Sequence, residues 1–320
     1  MSSRFIKNAS LVSMTLLGSG LVATIYMQNK RFSQYSQYSH SEESMREALS
    51  DSEWRSYALG QVVPLNADSK LFRFVLAKNG EALKLNFNSI ASIKLKNQQE
   101  NSDEDACVEL YPINSENNVG FMDVVINKEE QPELFKSKAG MLFNIKGPFQ
   151  SNFNVGEFMS NTSTSSDNST ISILAQDVEH GVAPSLQLVY KLLIQENQNT
   201  SSNNRKVITP STTKPPKIHL FYIVSNNNKD YLLKQSLQDL KTSFSGRIEL
   251  TTISDNFKNS TRQPSAELFD ALRVVKSNAS HGPVLICGSK DFEKVLSSQL
   301  WEQYQVKSIA LHDREKEEGS

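Results

Sequence analysis

Few residues in this chain have types and spacing that suggest chemistry, and most of them lie in three short turns. These are Lys146-Gly147-Pro148-Phe149, then His180-Gly181-Val182-Ala183-Pro184, then Ile286-Cys287-Gly288. Each falls where the apolar pattern predicts the end of a strand, and the second opens a helix with Pro184 in its first turn. A helix N-terminus behind a glycine turn presents free N–H groups and suits an anionic ligand. The two cysteines, Cys107 and Cys287, are far apart, and His40, His180, His219, His281 and His312 never approach metal-ligand spacing. Neither a disulfide framework nor a metal site is expected, and no Ser-His-Asp, paired-acid or phosphate-loop constellation is present.

The elements that must carry these turns fall into two blocks. Between residues 54 and 158, short apolar runs at 62–63, 71–76, 90–95, 107–111, 121–126 and 141–145 are separated by Asn, Ser, Asp and Gly. Six strands at this spacing predict a small antiparallel β barrel, with one short helix over 132–138. Between residues 171 and 312, wholly apolar strands (171–175, 218–224, 248–253, 284–287 and 306–311) alternate with helices (184–195, 229–244, 264–277 and 291–303). That alternation predicts a parallel sheet covered on both faces, an α/β domain. Residues 196–216 read as a disordered insertion within it, and 313–320 as a solvated tail.

Ahead of the barrel, residues 8–29 carry no charge and are flanked by Arg4 and Lys7 before and Lys30 and Arg31 after. As a helix this run would be roughly 33 Å long, enough to cross a hydrocarbon core of about 30 Å. A transmembrane anchor over residues 9–27 is expected, within a targeting segment 1–30. The basic, acid-free leader suits a mitochondrial address, with the inner membrane as the favoured site. A cleaved secretory signal near Ala23 is the alternative, with Asn161 and Asn259 as glycosylation matches on that route. Residues 31–53 read as a polar tether. The 34 basic and 35 acidic side chains nearly cancel, which leaves no broad electrostatic footprint for nucleic acid.

The order of the three turns across a barrel and a parallel sheet resembles the ferredoxin reductase superfamily, specifically its NADH-cytochrome b5 reductase branch. The resemblance covers roughly residues 54–311. It implies FAD on the barrel, NAD(P)H on the α/β domain, and electron transfer to a haem protein. With the anchor, the layout resembles the membrane flavoproteins that serve haem attachment in fungal mitochondria. The resemblance places Tyr111, Pro112, Gly147, Pro148 and Phe149 by the flavin, and Gly181, Val182, Pro184, Cys287 and Gly288 by the nicotinamide.

Several positions depart from that pattern. An arginine that holds the flavin phosphate in the family corresponds here to Glu109, in Glu109-Leu110-Tyr111-Pro112. The glycine-bearing loop that faces the pyrophosphate corresponds to Lys128-Glu129-Glu130-Gln131-Pro132-Glu133, and one glycine of three remains in Val178-Glu179-His180-Gly181-Val182-Ala183-Pro184. Asp177 and Glu179 would sit at the helix mouth, using the potential a phosphate would need. Two readings therefore stand: a flavin-dependent NAD(P)H reductase, or a catalytically degenerate relative used as a docking or assembly module. On the second, Tyr111 is an ordinary barrel aromatic and Cys287 a small buried hydrophobe finishing a strand.

Overall fold

The computed structural model describes residues 47–76, 83, 89–98, 107–114, 120–155, 158, 169–201, 216–224, 232–255 and 265–312. The expected anchor, the leader, most of the tether, residues 202–215 of the insertion and the tail 313–320 lie outside the described residues. Among the described residues, no helix is long and apolar enough to cross a membrane.

The first block is one antiparallel sheet made of β1 (Arg55–Pro64), β2 (Ser69–Val75), β3 (Ser89–Asn97), β4 (Val108–Leu110), β5 (Phe121–Asn127) and β6 (Leu142–Asn154). Its order is β4-β3-β6-β1-β2-β5, so β4 and β5 form its edges. It is a half-barrel rather than the closed barrel expected: β4 and β5 do not pair as strands, although the chain leaving β4 meets β5 through Ile113 N–H to Asp123 O at 3.0 Å. Strand alternation sends Tyr57, Leu59, Phe72, Phe74, Ile93, Leu95, Phe143 and Ile145 into one interior. Ala48 and Leu49, expected in the tether, are buried in the same interior. Arg55 holds that segment by donating to the carbonyls of Glu47, Ala48 and Leu49. A single short helix, α1 (Pro132–Phe135), separates β5 from β6.

Gly147-Pro148-Phe149 does not end a strand as expected. It lies inside β6, where the pairing with β3 shifts register between Ser92 and Lys94. Gly147 has φ +143°, and a Cβ there would stand 3.2 Å from the Ile93 Cα and the Ser92 carbonyl. The glycine admits a bulge against its neighbour strand, so the chain bends without leaving the ladder.

The second block alternates β7 (Thr170–Gln176), α2 (Ala183–Ser201), β8 (Lys217–Val224), α3 (Lys234–Ser243), β9 (Ile248–Ser254), α4 (Ala266–Ala279), β10 (Val284–Cys287), α5 (Lys290–Tyr304) and β11 (Ser308–Ala310). All four pairings are parallel, in the order β11-β10-β7-β8-β9. Ile173, Leu220 and Tyr222 share a core with Leu186, Val189, Leu237 and Leu240 from α2 and α3. Leu174, Phe221 and Ile223 meet Leu268, Leu272, Leu296 and Leu300 from α4 and α5. Residues with two apolar faces fit a sheet covered on both sides. Helices α4 and α5 begin where they do because Ser265 and Ser289 accept the N–H groups of Leu268 and Phe292.

His219 on β8 is buried, 2.8 Å from Thr251 Oγ1 and 3.9 Å from a Glu249 carboxylate that is itself 71% exposed. Burial pushes its pKa down, and the solvated glutamate only partly opposes this. The unfolded chain takes up a proton below about pH 6.5 while the folded imidazole stays neutral, so stability is lost as pH falls through that window, at up to about 1.4 kcal/mol per pH unit. Urea midpoints should therefore drop less between pH 7.5 and 5.5 in His219→Asn than in the parent; equal drops would place the proton elsewhere.

Candidate functional site

In this sheet order the chain reverses direction between β7 and β10, and open α/β sheets bind ligands outside the carboxyl ends of strands at such a point. Gln176, Cys287 and the segments that follow them lie there, facing the end of β4 and the turn after β5.

On β4, Val108 and Leu110 point into the half-barrel and Glu109 points away from it. Tyr111 follows the same alternation but belongs to the other core, beside Val182, Cys287 and Leu311. It is a seam residue between the two blocks and not a barrel-interior aromatic, and it is 6% exposed. Its hydroxyl lies 3.1 Å from His312 Nε2. His312 Nδ1 lies 2.8 Å from Glu293 Oε1, and Glu293 also accepts the backbone N–H groups of His312 and Gly288. The carboxylate fixes the imidazole with its proton on Nδ1, so Nε2 accepts from the phenol. Burial, then Glu109, Cys287 and Glu293, raise the Tyr111 pKa far above the usual phenol range, so this proton stays in place.

Glu109 is exposed and accepts a short hydrogen bond from Ser92 Oγ. Its partner across the ladder is Lys94, whose ammonium lies 5.2 Å from the Phe149 ring centre. The Glu109 carboxylate thus has a cation opposite it on the neighbouring strand.

Between β7 and α2 the chain makes a π-helical turn, Val178–Val182, which the sequence pattern did not predict. Asp177 enters it at φ +57°. The Val182 N–H donates to Asp177 O and the Ala183 N–H to Val178 O, while Ser185 Oγ donates to Gly181 O. The Val182 and Ala183 donors, at the mouth of α2, are therefore taken by the turn itself. Glu179 is not a solvated charge at that mouth. It is 5% exposed, accepts the Asn127 N–H, and meets the Glu130 carboxyl; burial first and Glu130 second push it up to about 9. His180 has a side chain 33% exposed with Nε2 3.3 Å from Glu130 Oε2, a partner that raises its pKa.

Cys287 is fully buried at the end of β10, and burial pushes its thiol up to about 12. It is a protonated, sealed side chain. Gly288 is also buried, and a Cβ there would lie 2.5 Å from the Phe292 ring.

Side chains from α2 close the seam further. Gln187 Nε2 donates to Ala91 O and Pro112 O, and Gln187 Oε1 accepts from Ala91 N–H, all at 2.9 Å. Lys191 Nζ donates to Ser89 O. The structure therefore brings Tyr111, Pro112, Gly181, Val182, Pro184, Cys287 and Gly288 to one buried seam, with Gly147, Pro148 and Phe149 on the neighbouring part of β6. It adds Gln187, Glu293, His312 and Glu130, which the sequence reading did not single out. Polar residues inside apolar runs, such as Gln187 between Leu186 and Leu188, were the available signal.

No family model matches the sequence, and no curated protein does. Solved structures do match in fold. The cytochrome b5 reductase domain of Ulva prolifera nitrate reductase aligns with TM-score 0.55 at 16% identity, over 83% of this chain and 100% of its own. A Plasmodium falciparum ferredoxin-NADP+ reductase with 2'P-AMP gives 0.54 at 14%, over 83% and 100%. A Malassezia yamatoensis flavohemoglobin with bound FAD and heme gives 0.52 at 14%, over 81% and 60%. The architecture is that of the ferredoxin-NADP reductase and cytochrome b5 reductase fold.

Proposed function

We propose that this chain is a reductase-fold protein that acts as a docking or assembly module for a haem-protein system at a mitochondrial membrane, held there by residues 9–27, and that it does not oxidise NAD(P)H. The observation that carries this reading is the direct contact between Tyr111 and His312. In the resembled family the flavin ring lies beside the tyrosine, with an aromatic residue near the chain end close to it. Here His312, two residues past β11, hydrogen-bonds the tyrosine hydroxyl at 3.1 Å, which leaves no room for a ring between them. The donor set fits poorly as well: Glu109 stands where the resemblance places a phosphate-binding arginine, and the Val182 and Ala183 N–H groups at the helix mouth are already bonded. FAD, the carrier of the redox chemistry in such enzymes, and NAD(P)H are thus not accommodated by these residues as placed.

A second reading, electron transfer from NAD(P)H through FAD to a haem protein, is favoured by Lys94, a cation beside Glu109 with an aromatic ring at hand. Full-length protein in detergent separates the two. We expect a colourless, folded protein that takes up no FAD on titration and does not reduce ferricyanide with NADH or NADPH. A yellow preparation, or turnover with either nucleotide, overturns the docking reading and installs the second. Cell fractionation checks the membrane address independently.

A further inference from the structure

Beyond the cofactor seam, we propose that Glu130, Glu179 and His180 form a divalent transition-metal site, of Zn2+ type, that joins the antiparallel half to the parallel half. Each offers one ligand atom, and the three atoms lie within 4.8 Å of one another. Zinc bonds of about 2.0–2.1 Å in a tetrahedron place ligand atoms about 3.3 Å apart. His180 Nε2 and Glu130 Oε2 already have that separation, 3.3 Å. The third ligand atom, on Glu179, lies within 4.8 Å of both.

A separate observation points to a cation. Glu179 is 95% buried (5% exposed), and among the described residues its one backbone donor is Asn127 N–H. Its carboxyl otherwise meets that of Glu130, with Asp177 also near, and no lysine or arginine among the described residues bonds it. The basic group of the cluster, His180, is turned to Glu130. Two carboxyls in contact, one of them out of water, share a proton in the metal-free protein, and a divalent cation takes that proton's place between them.

The surroundings suit ligation. Glu130 sits in a turn fixed by Lys128 N–H to Asp68 O and Gln131 N–H to Asn127 O, and Glu179 and His180 sit in the π turn closed by Val182 N–H to Asp177 O. The Asn127 N–H orients the Glu179 carboxylate as outer-shell donors do in metal sites. One imidazole with two carboxylates favours Zn2+ over Mg2+ or Ca2+, and three protein ligands leave a coordination position open for water.

The test is titration of chelator-treated full-length protein with Co2+, followed by visible absorbance, and with Zn2+ against a competing indicator. One equivalent is expected to bind, with Zn2+ raising the thermal midpoint. Glu130→Gln and His180→Ala should each weaken Zn2+ affinity at least about tenfold. Both side chains are partly exposed, at 43% and 33%, so both variants keep the fold, checked by circular dichroism. Failure of the parent to bind one equivalent overturns the site, as does affinity unchanged in both variants. Neither result bears on whether flavin binds.

Discussion

Gly181→Ala is expected to lose the folded state outright or to cost at least about 3 kcal/mol, although no ligand touches the position in this reading. A Cβ at Gly181 would stand 1.8 Å from Gln176 O, 2.6 Å from Gln176 C and 2.7 Å from Gln176 N. These are backbone atoms of the last residue of β7, so no rotamer change relieves the clash; β7 or the π turn must move. β7 lies mid-sheet between β10 and β8, and Val182 beside the glycine is fully buried. Typical domain stabilities of about 5–15 kcal/mol leave little margin for such a shift. Soluble yield and urea unfolding of the variant are the measurements, with Gly246→Ala as control because nothing lies within 4 Å of a Cβ there and only its φ of +81° is strained. If Gly181→Ala unfolds at the parent's urea midpoint, the turn is misplaced. Loss of the fold in the variant explains by packing alone the glycine that the resemblance assigns to a dinucleotide.

The same contrast runs through the rest of the chain. The parallel half was legible because β7 and β8 are apolar on consecutive residues, which only a strand covered on two faces requires. The half-barrel was legible by alternation, apart from the start of β1, where Arg55, Ser56 and Gly60 blur the pattern and the strand extends well before residues 62–63. Packing of Ala48 and Leu49 was hidden by the polar residues around them. Gly147-Pro148 reads as a strand end because both residues usually break ladders, and the bulge that keeps it in β6 depends on the register of β3, a long-range fact. The π turn left no trace either, since its bonds differ from an α turn by one residue and no side-chain period marks them. Glu179 read as a charge at the helix mouth and is a buried acid; Glu130, which meets it, is 49 positions away in the chain. His312 read only as the last residue of the α/β domain, next to a solvated tail, and it is the residue that meets Tyr111.

Gln187→Leu is expected to remove about 3 kcal/mol or more, a larger loss than its single side chain suggests. Leucine has a similar volume and fits the apolar run of α2, so the packing term is small. The hydrogen-bond term is not. The amide meets Ala91 N–H, Ala91 O and Pro112 O, and the substitution strands all three in a seam where Gln187 itself is 2% exposed. Buried backbone groups left without partners cost about 1–3 kcal/mol each. Gln187→Glu should be at least as damaging, because a carboxylate would face two carbonyl oxygens. Chemical denaturation should show a lower midpoint with an unchanged slope, as for a folded state of the same compactness that is less stable. A loss under about 1 kcal/mol would mean that water reaches these groups and that α2 is not clamped to β3. The variant should also remain unable to take up FAD, since the Tyr111 to His312 contact does not pass through Gln187; if loosening the clamp alone admits flavin, the seam is a gate and not a joint.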